Sequence, residues 1–281
     1  MTTTIHNLPK AYFSRLLRGV IEFDLIEEGD RILIGLSGGK DSLFLAFALA
    51  ALQKVSAKRF ELAALTLDAG FAPNFPQETL ASFCAKLDIP FHFIQADIAS
   101  IIEENQGKDP CFTCAFFRRG AINRFAAEHG FQKVAYAHHH DDAVETLLMN
   151  LLHSGQIGTF LPKTILERSG VTVIRPLLFF REEELREAWT LHGQEPIPNP
   201  CPFNGKTQRQ ATKELIASLA SQNSAIYDHL AAAMREDSVH ELWPKEATRS
   251  ELKEKNLLFW KKPVKNTKYN ECSHKVLKSI E

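Results

Sequence analysis

The sequence is poor in the features that mark membrane proteins, secreted proteins and proteins coated with basic residues. No apolar run approaches the ~18 residues that a membrane-spanning helix needs, and the first residues, MTTTIHNLPK, lack the apolar core of a signal peptide. Five cysteines are an odd count, which argues against a disulfide framework. The formal net charge of −1 excludes a chain covered in lysine, although it is compatible with a local basic patch. These absences predict a soluble cytoplasmic protein that does not associate with membranes.

The order of apolar segments indicates the fold class. The chain has 281 residues, 44% of them hydrophobic, which is ample for a buried core. Strand-like runs alternate with helix-like segments up to about residue 225, and this alternation predicts a doubly wound, mostly parallel α/β sheet. A helix over residues 11–29 is expected to precede the first strand. Residues 226–281, where the core pattern weakens, are predicted to form a separate helical or partly disordered tail.

A glycine-centred turn lies between the first predicted strand and a long apolar helix, in the stretch 31–52, RILIGLSGGKDSLFLAFALAAL. Its glycines let a ligand approach the main chain, and its N–H groups lie at the positive end of the helix dipole. Lys40 can neutralise phosphate charge, and Asp41 offers a carboxylate to Mg²⁺ or to the helix N-terminus. The spacing of these glycines and the lysine differs from that of a Walker A loop. The alternative to a phosphate site is an ordinary strand-to-helix turn without a ligand. The residues of the predicted phosphate site are Ser37, Gly38, Gly39, Lys40, Asp41 and Ser42.

Polar residues also follow two other predicted strands. Asp68 follows the apolar run 62–67, and the segment 138–142, HHHDD, follows the run 133–137. The carboxyl edge of a parallel sheet is where doubly wound folds bind ligands. Asp68, His139 and Asp142 are therefore candidate ligand contacts. The alternatives are a turn role for Asp68 and a helix cap for Asp142, with Glu145 completing a capping box.

Three cysteines have spacings that suggest chemistry. Cys111 and Cys114 stand directly before a predicted helix, 115–129, whose dipole is expected to lower the pKa of their thiols. Cys201 lies in the proline-rich loop PIPNPCP, where rigid placement suits a ligand. A structural zinc ion takes four protein ligands, so three thiolates do not complete its site. On a [4Fe-4S] cluster, three thiolates leave one of the four irons free to bind an external ligand. A metal site, a redox pair and simple packing all remain open at this point. Cys84 is expected in the core, and Cys272 receives no role.

Taken together, these segments resemble the PP-loop ATP pyrophosphatases and, within them, the tRNA 2-thiocytidine synthetases, also called tRNA-cytidine 2-sulfurtransferases. The resemblance runs from about residue 15 to residue 219. It rests on LIEEGDRILIGLSGGKDS at 25–42, CFTCAFFRRG at 111–120, HHHDDAVETLLMN at 138–150, VIRPL at 173–177, and Cys201 seven residues before the segment QRQ at 208–210.

The resemblance implies an enzyme that uses ATP and Mg²⁺ to adenylate O2 of an anticodon-loop cytidine, and then replaces that oxygen with sulfur. Residues 37–42 would bind the ATP phosphates, with Lys40, Asp41 and Asp142 as catalytic residues and Asp68 and His139 as further contacts. Cys111, Cys114 and Cys201 would hold a [4Fe-4S] cluster. The implied partners are tRNA and a cysteine desulfurase as sulfur donor. The resemblance is also compatible with a homodimer.

The chain departs from the usual family pattern at three positions near this site. Ala137 stands where the family usually has Gly, His140 where it has Arg, and Phe116 where its cysteine block often has Arg. A basic patch for RNA remains available in Arg118, Arg119, Lys163, Lys206, Arg209 and Lys213. Two other functions are compatible with the sequence. One is a sulfurtransferase that acts on another tRNA base or a small molecule, and the other is a non-catalytic iron-sulfur or zinc sensor.

Overall fold

The computed structural model describes residues 8–72, 74–105, 110–203, 205, 207–238 and 247–260. The chain divides into two units, Met1–Ser238 and Val239–Glu281. In the second unit, the described part contains one helix, Arg249–Phe259, whose N-terminus is capped by the side chain of Thr248. No helix among the described residues is long and apolar enough to cross a membrane.

Within the described residues, six strands form a single sheet in the order β3-β2-β1-β4-β6-β5. All neighbouring strands are parallel except β5, which pairs antiparallel with β6 at one edge. The doubly wound, mostly parallel sheet predicted from the sequence is thereby confirmed. The strands are β1 (Arg31–Gly35), β2 (Glu61–Asp68), β3 (Phe91–Gln95), β4 (Lys133–Ala135), β5 (Lys163–Ile165) and β6 (Thr172–Ile174).

Helices cover both faces of this sheet. Because side chains alternate along a strand, Ile32 and Ile34 of β1 pack into one hydrophobic cluster while Leu33 between them packs into the other. The described helices are α1 (Lys10–Glu22), α2 (Lys40–Val55), α3 (Gln77–Lys86), α4 (Ile98–Glu104), α5 (Pro110–Glu128), α6 (His140–Ser154), α7 (Glu182–Arg186), α8 (Trp189–His192), α9 (Gln208–Gln222), α10 (Ile226–Ala233) and α11 (Arg249–Phe259).

Helix α2 is the central helix of the larger hydrophobic cluster. Every residue from Ser42 to Leu52 is buried, so this helix has no polar face, as its nearly continuous apolar sequence requires. The ring of Phe44 packs edge-on against Tyr12 of α1 and against Phe180, with ring centroids 5.7 and 5.3 Å apart. The turn that precedes α2 is therefore anchored to the most rigid part of the molecule.

The strand order changes direction between β1 and β4. From β1 the chain continues to β2 and β3 on one side, and it then returns to β4 on the other side. In doubly wound folds, ligands bind beyond the carboxyl ends of the strands at such a point. The glycine-centred turn leaves β1 at this crevice, and the histidine segment leaves β4 there.

Several predicted boundaries are wrong. Helix α1 ends at Glu22 instead of residue 29, because Asp24 and Gly29 adopt positive φ angles of 48° and 82°. The predicted helix 115–129 begins earlier, at Pro110, so both cysteines of the CxxC pair lie inside its first turns. Residues 182–191, which we expect from the sequence to form one helix after the strand at 171–174, instead form two short helices, α7 and α8.

Helix α10 lies in the stretch that we expected to belong to a C-terminal tail. It packs on α6 and α9 and belongs to the first unit, which ends at Ser238. The sequence-based boundary at residue 225 therefore falls thirteen residues before the division seen in the structure, counting from 225 to 238.

Candidate active site

The glycine-centred turn is a compact loop held by its own hydroxyl groups. Ser42 Oγ accepts a hydrogen bond from the Ser37 amide at 3.1 Å and lies 3.0 Å from Ser37 Oγ, while it donates to the Gly39 carbonyl at 3.0 Å. These contacts fold the loop back onto the first turn of α2. The loop amides are thereby gathered at the positive end of the helix dipole, as an anion site requires.

Gly38 connects this loop to the chain segment that carries Cys201. Its φ angle of +82° suits glycine, and its carbonyl accepts a hydrogen bond from the Ile197 amide at 2.8 Å. A Cβ atom at position 38 would lie 3.0 Å from Ile197 Cδ1. Glycine is therefore needed here both for its conformation and for the close approach of the cysteine-bearing loop.

Lys40 is paired with carboxylates at the start of α2. Its Nζ lies 2.9 Å from Asp41 Oδ1 and 3.5 Å from Glu182 Oε1. Glu182 also forms an ion pair with Lys213, and these two lysines lower the pKa of the Glu182 carboxyl although burial opposes them. Sequence reasoning missed Glu182. Its only signal was the acidic run EEE, which opens α7.

A cavity of about 490 Å³ opens directly above the loop. One wall is apolar and contains Leu36, Leu65, Leu67, Phe71, Ile122 and Phe203. The opposite groups are polar: Ser37, Asp41, Ser42, Arg118, Arg119, Tyr136, His138 and Asp142. Cys111, Cys114 and Cys201 line the same cavity. The structure therefore brings the predicted phosphate loop and all three candidate thiols to one space, which is large enough for a nucleotide-sized ligand.

A second cavity of about 470 Å³ lies beside the first and is strongly charged. Asp41, Cys111, Asp142, Cys201 and Phe203 line both cavities. The charged residues of the second cavity are Lys40, Asp41, Asp142, Glu145, Glu182, Arg209 and Lys213, and His139 lies with them. The phosphate loop thus has an apolar cavity on one side and a charged cavity on the other.

The three thiols influence one another electrostatically. Burial raises the pKa of the Cys111 thiol, and Cys201 and Cys114 raise it further. Burial also raises the pKa of Cys114, against the opposing effect of Arg118. The lowered pKa expected from the dipole of α5 is therefore wrong for both thiols, whose pKa is raised chiefly by burial.

The donor set fits a [4Fe-4S] cluster better than it fits a single ion. No three His, Cys, Asp or Glu side chains in the described part of the chain are arranged to hold one metal ion. In a [4Fe-4S] cluster each thiolate binds its own iron, so its ligands do not have to converge on one point. Three soft thiol ligands beside one cavity, with no carboxylate among them, suit iron and sulfide.

Asp142 lies at the junction of the two cavities. Its Oδ2 accepts a hydrogen bond from the His139 amide at 2.9 Å, and its Oδ1 lies 3.5 Å from Arg209 Nη1. His139 is the N-cap residue of α6, and Asp142 is the third residue of that helix. The alternative of a helix-capping role for Asp142 is therefore confirmed, since it accepts the amide of the N-cap residue, whereas the capping box with Glu145 is wrong. Glu145 is buried and pairs with Arg209 at 3.0 Å.

Two other carboxylates at this sheet edge have structural partners. Asp141 is buried and pairs with Arg181 at 3.1 Å, and it also accepts the Glu182 amide at 2.8 Å. Asp68 is buried at the end of β2, where it accepts the Gly70 amide at 3.0 Å in a turn. Asp68 is not among the residues that line either cavity.

Two residues that line the first cavity, Tyr136 and His138, have buried polar atoms without a protein partner, and so does Arg175, which does not line it. Tyr136 Oη, His138 Nδ1 and Arg175 Nε are all buried and form no hydrogen bond in the described structure. Burial lowers the pKa of His138 to about 4 and raises that of Tyr136 to about 12, so both side chains are neutral near pH 7. Sequence reasoning missed Tyr136, whose only signal was its position just after β4.

The predicted basic patch is divided between several places. Arg118 and Arg119 line the first cavity, and Arg209 and Lys213 line the second. Lys163 lies elsewhere, where its ammonium group donates to the Asp24 carbonyl and pairs with Glu27. Lys206 lies outside the described residues, and so does Cys272.

The fold and the loop define a class, the PP-loop nucleotide-binding proteins, and the sequence comparisons agree. The family model described as "PP-loop domain" matches residues 11–211. Among solved structures, the chain is similar to the U34-tRNA thiolase NcsA from Methanococcus maripaludis, a structure with its [4Fe-4S] cluster. The TM-score is 0.67 and the sequence identity 21%, over 84% of this chain and 82% of the other. At this identity the likeness concerns the fold.

Curated relatives narrow the class to one family. The chain is 39% identical over 200 residues to a tRNA-cytidine(32) 2-sulfurtransferase of Cellvibrio japonicus, covering 70% of this chain and 66% of the relative. It is 38% identical to that of Nitrosospira multiformis, over 75% of this chain and 72% of the relative. For the Alcanivorax borkumensis enzyme the identity is 34%, over 83% of both chains. The chain belongs to the PP-loop family of tRNA-cytidine 2-sulfurtransferases.

Proposed function

We propose that this protein thiolates tRNA, converting a cytidine of the anticodon loop to 2-thiocytidine at the expense of ATP. The observation that carries the proposal is the convergence of the phosphate loop and three thiols on one cavity. Nucleotide activation and sulfur delivery need to occur at the same base, and this cavity has groups suited to both. The names of the relatives, tRNA-cytidine(32) 2-sulfurtransferases, support the choice of substrate.

The first half of the reaction uses residues 37–42. The loop amides and Lys40 bind the ATP phosphates, and Lys40 exchanges its carboxylate partners for phosphate oxygens. Asp41 and Asp142 provide carboxylates for Mg²⁺. The cytidine O2 attacks the α-phosphorus, the bond to the β-phosphate oxygen breaks, and pyrophosphate leaves. The base then carries AMP on O2, which makes that oxygen a good leaving group.

In the second half of the reaction, sulfur attacks C2 of the adenylated base, and AMP departs with the former O2. Cys111, Cys114 and Cys201 would hold the [4Fe-4S] cluster, and a cysteine desulfurase would supply persulfide sulfur, which a thiol reductant converts to sulfide by a two-electron reduction. When bound, a cluster with three protein thiolates offers an open iron that can hold sulfide as a nucleophile. Arg118 and Arg119, in the same cavity, provide positive charge for the departing AMP phosphate.

The second cavity suits the leaving pyrophosphate. It adjoins the first through Asp41 and Asp142, and Lys40, Arg209 and Lys213 line it together with Glu145 and Glu182, with which they pair. Phosphate oxygens would replace these carboxylate partners when pyrophosphate binds. Positive groups on both sides of the phosphate loop allow the phosphate chain to extend from the apolar cavity, where a base or nucleoside fits, into the charged one. His139 lies beside Asp142, with its Nε2 3.5 Å from Asp142 Oδ2, and would help to fix that carboxylate.

The test is reconstitution. The purified protein, loaded with iron and sulfide under anaerobic conditions, is incubated with ATP, Mg²⁺, cysteine, a cysteine desulfurase, a dithiol reductant and tRNA, and the nucleosides are analysed by mass spectrometry. We expect 2-thiocytidine, with one AMP and one pyrophosphate formed for each sulfur inserted. A thiolated uridine instead would reassign the acceptor, and ATP turnover with a small molecule alone would exclude tRNA. Absence of ATP turnover with every acceptor would favour the sensor hypothesis.

A further inference from the structure

Helix α5 exposes a row of aromatic side chains beside the active site. Phe112 and Phe116 are 68% and 60% exposed, and their rings are nearly parallel, with an interplanar angle of 20° and centroids 6.4 Å apart. Phe117 meets Phe116 edge-on at 5.4 Å. Residues four apart lie on the same face of a helix, so Phe112 and Phe116 form a continuous surface. Exposed aromatic surface of this kind usually marks an interaction site.

This surface adjoins the thiol cavity without being part of it. Cys111 and Cys114 line the cavity from the same helical turns, whereas neither Phe112 nor Phe116 lines either cavity. The rings therefore lie on the same helix as the two thiols, next to cavity-lining residues in the sequence, and do not line the space assigned to ATP.

Two arginines lie close to the rings in helix α5. In the described part of the chain, neither Arg118 nor Arg119 pairs with a carboxylate, and Arg118 interacts with the Cys114 thiol. Two guanidinium groups without a carboxylate partner among the described residues, beside exposed aromatic rings, match a ligand that combines phosphates with planar bases. Single-stranded RNA has both, and proteins bind it by stacking its unpaired bases on aromatic side chains.

A second copy of this chain fits the same surface less well. An isologous dimer places identical patches against each other, so the uncompensated arginines of one copy would face those of the other. Burial of like charges costs free energy. The charge pattern therefore favours a polyanion as the occupant.

We propose that Phe112 and Phe116 form a stacking platform for unpaired bases that neighbour the target cytidine in the RNA substrate. This inference rests on the proposed function, since it names how the tRNA loop is held. It also gives a role to Phe116, one of the positions at which the chain departs from the usual family pattern.

The experiment uses the full-length protein and an anticodon stem-loop RNA with 2-aminopurine beside the target cytidine. The fluorescence of 2-aminopurine falls when the base stacks on an aromatic ring, so it reports the proposed contact directly. The test variant combines Phe112→Ala with Phe116→Ala. Phe259→Ala, which removes another highly exposed phenylalanine, is the matched control.

We expect the wild type and Phe259→Ala to quench the fluorescence, and the double variant to lose the quench and bind the RNA about 5- to 150-fold more weakly. ATP binding should stay the same in all three. Combined with Phe112→Ala, the substitution Phe116→Arg should bind the RNA more tightly than the double alanine variant but without quenching the fluorescence. The slope of its log affinity against log salt concentration should be steeper by about 0.7.

Two results would contradict the stacking platform while leaving the proposed function intact. One is a double variant that binds and quenches like the wild type. The other is a double variant that loses only a dimer, seen by sedimentation, while its RNA affinity is unchanged, which identifies a second copy as the occupant. If the wild type itself fails to bind the stem-loop, the proposed function and the platform both fail, so the two failures are distinguishable.

Discussion

At the scale of single residues, Lys40 is the side chain that the proposed function assigns to the ATP phosphates. It lies at the N-terminus of α2, where it pairs with Asp41 and Glu182. We expect Lys40→Ala to reduce tRNA-dependent pyrophosphate release by about 100- to 1,000-fold, because a charged donor to the transferring phosphate is lost. Iron content and folding should be unchanged.

Lys10→Ala is the control for Lys40→Ala, since Lys10 is an exposed lysine at the start of α1. It should release pyrophosphate at the wild-type rate. Normal release by Lys40→Ala would place phosphate binding away from this loop.

Cys201 and Cys84 provide a matched pair of cysteines with opposite surroundings. Cys84 is fully buried in α3, and burial raises the pKa of its thiol to about 12, so it is an inert core residue. Cys201 lines both cavities from a loop. We expect Cys201→Ala to lose iron and acid-labile sulfide with little change in the free energy of unfolding.

Cys84→Ala should behave in the opposite way, keeping iron and sulfide while losing about 1 kcal/mol of stability through a small cavity in the core. Iron and sulfide assays together with urea unfolding measure both properties. A full complement of iron and sulfide in Cys201→Ala would show that this thiol is not a cluster ligand.

His192 is a buried base whose protonation opposes folding. Its ring packs against Phe47 and Phe83, and burial lowers its pKa from 6.5 to about 4. Below pH 6.5 the unfolded chain binds a proton that the folded chain rejects, so stability falls as the pH drops from 6.5 towards 4. The loss attributable to this residue reaches about 3 kcal/mol.

We therefore expect His192→Leu to lose less stability than the wild type between pH 6.5 and 4, as measured by urea unfolding at several pH values. His153→Leu, which replaces an exposed histidine near the end of α6, should follow the wild-type curve. Parallel curves for His192→Leu and the wild type would show that His192 is protonated in the folded protein.

At the scale of elements, the phosphate loop depends on the chain segment around Ile197. Gly38 and Gly29 have the same φ angle of +82°, but a Cβ at Gly38 would meet Ile197 at 3.0 Å, whereas one at Gly29 would meet nothing within 4 Å. Alanine at either position strains the backbone by about 1 kcal/mol. Only at Gly38 does the new methyl group also push the cysteine-bearing loop away.

We expect Gly38→Ala to abolish detectable ATP binding in calorimetry and to lower stability. Gly29→Ala, the matched control, should lower stability by a similar amount and bind ATP normally. Equal ATP affinity in the two variants would mean that the contact between the two loops does not shape the phosphate site.

The elements that sequence patterns predicted well are those whose signal is local. Alternating strands and helices, the strand-turn-helix at 31–52 and the buried Cys84 all follow from periodicity and turn chemistry. The errors concern interactions between distant segments. Glu145 has the spacing of a capping box but pairs with Arg209, which lies 64 residues further along the chain. Likewise, burial against the cavity reversed the pKa expected for the thiols of α5.

Two further elements were missed or misassigned for the same reason. The edge strand β5 has only three residues and is stabilised by its pairing with β6. Helix α10 looked like part of a tail because its partners come from earlier segments. The Arg181 guanidinium lies 3.8 Å from the Tyr227 ring centroid, and Arg181 in turn holds Asp141. No pattern within residues 226–233 carries that information.

At the scale of the whole molecule, these contacts of α10 predict where the chain can be shortened. Residues up to Ser238 form one unit, and residues from Val239 form another. A chain ending at Ser238 keeps the Tyr227 ring on Arg181 and the ion pair between Arg235 and Glu22 at 2.6 Å. We expect its free energy of unfolding and its ATP-dependent pyrophosphate release to equal those of the full chain.

A chain ending at residue 225 loses both contacts, and we expect it to unfold with about 2 kcal/mol less free energy. Without the Tyr227 ring, the Arg181 guanidinium would be exposed on one side and would hold Asp141 at the start of α6 less firmly. Because α6 carries Asp142 into the active site, pyrophosphate release should fall as well. Tyr227→Ala in the full-length chain isolates the ring contact and should show part of both losses. If the chains ending at 225 and 238 have equal stability and activity, α10 is dispensable, and the active-site unit ends where the sequence pattern alone first placed its boundary.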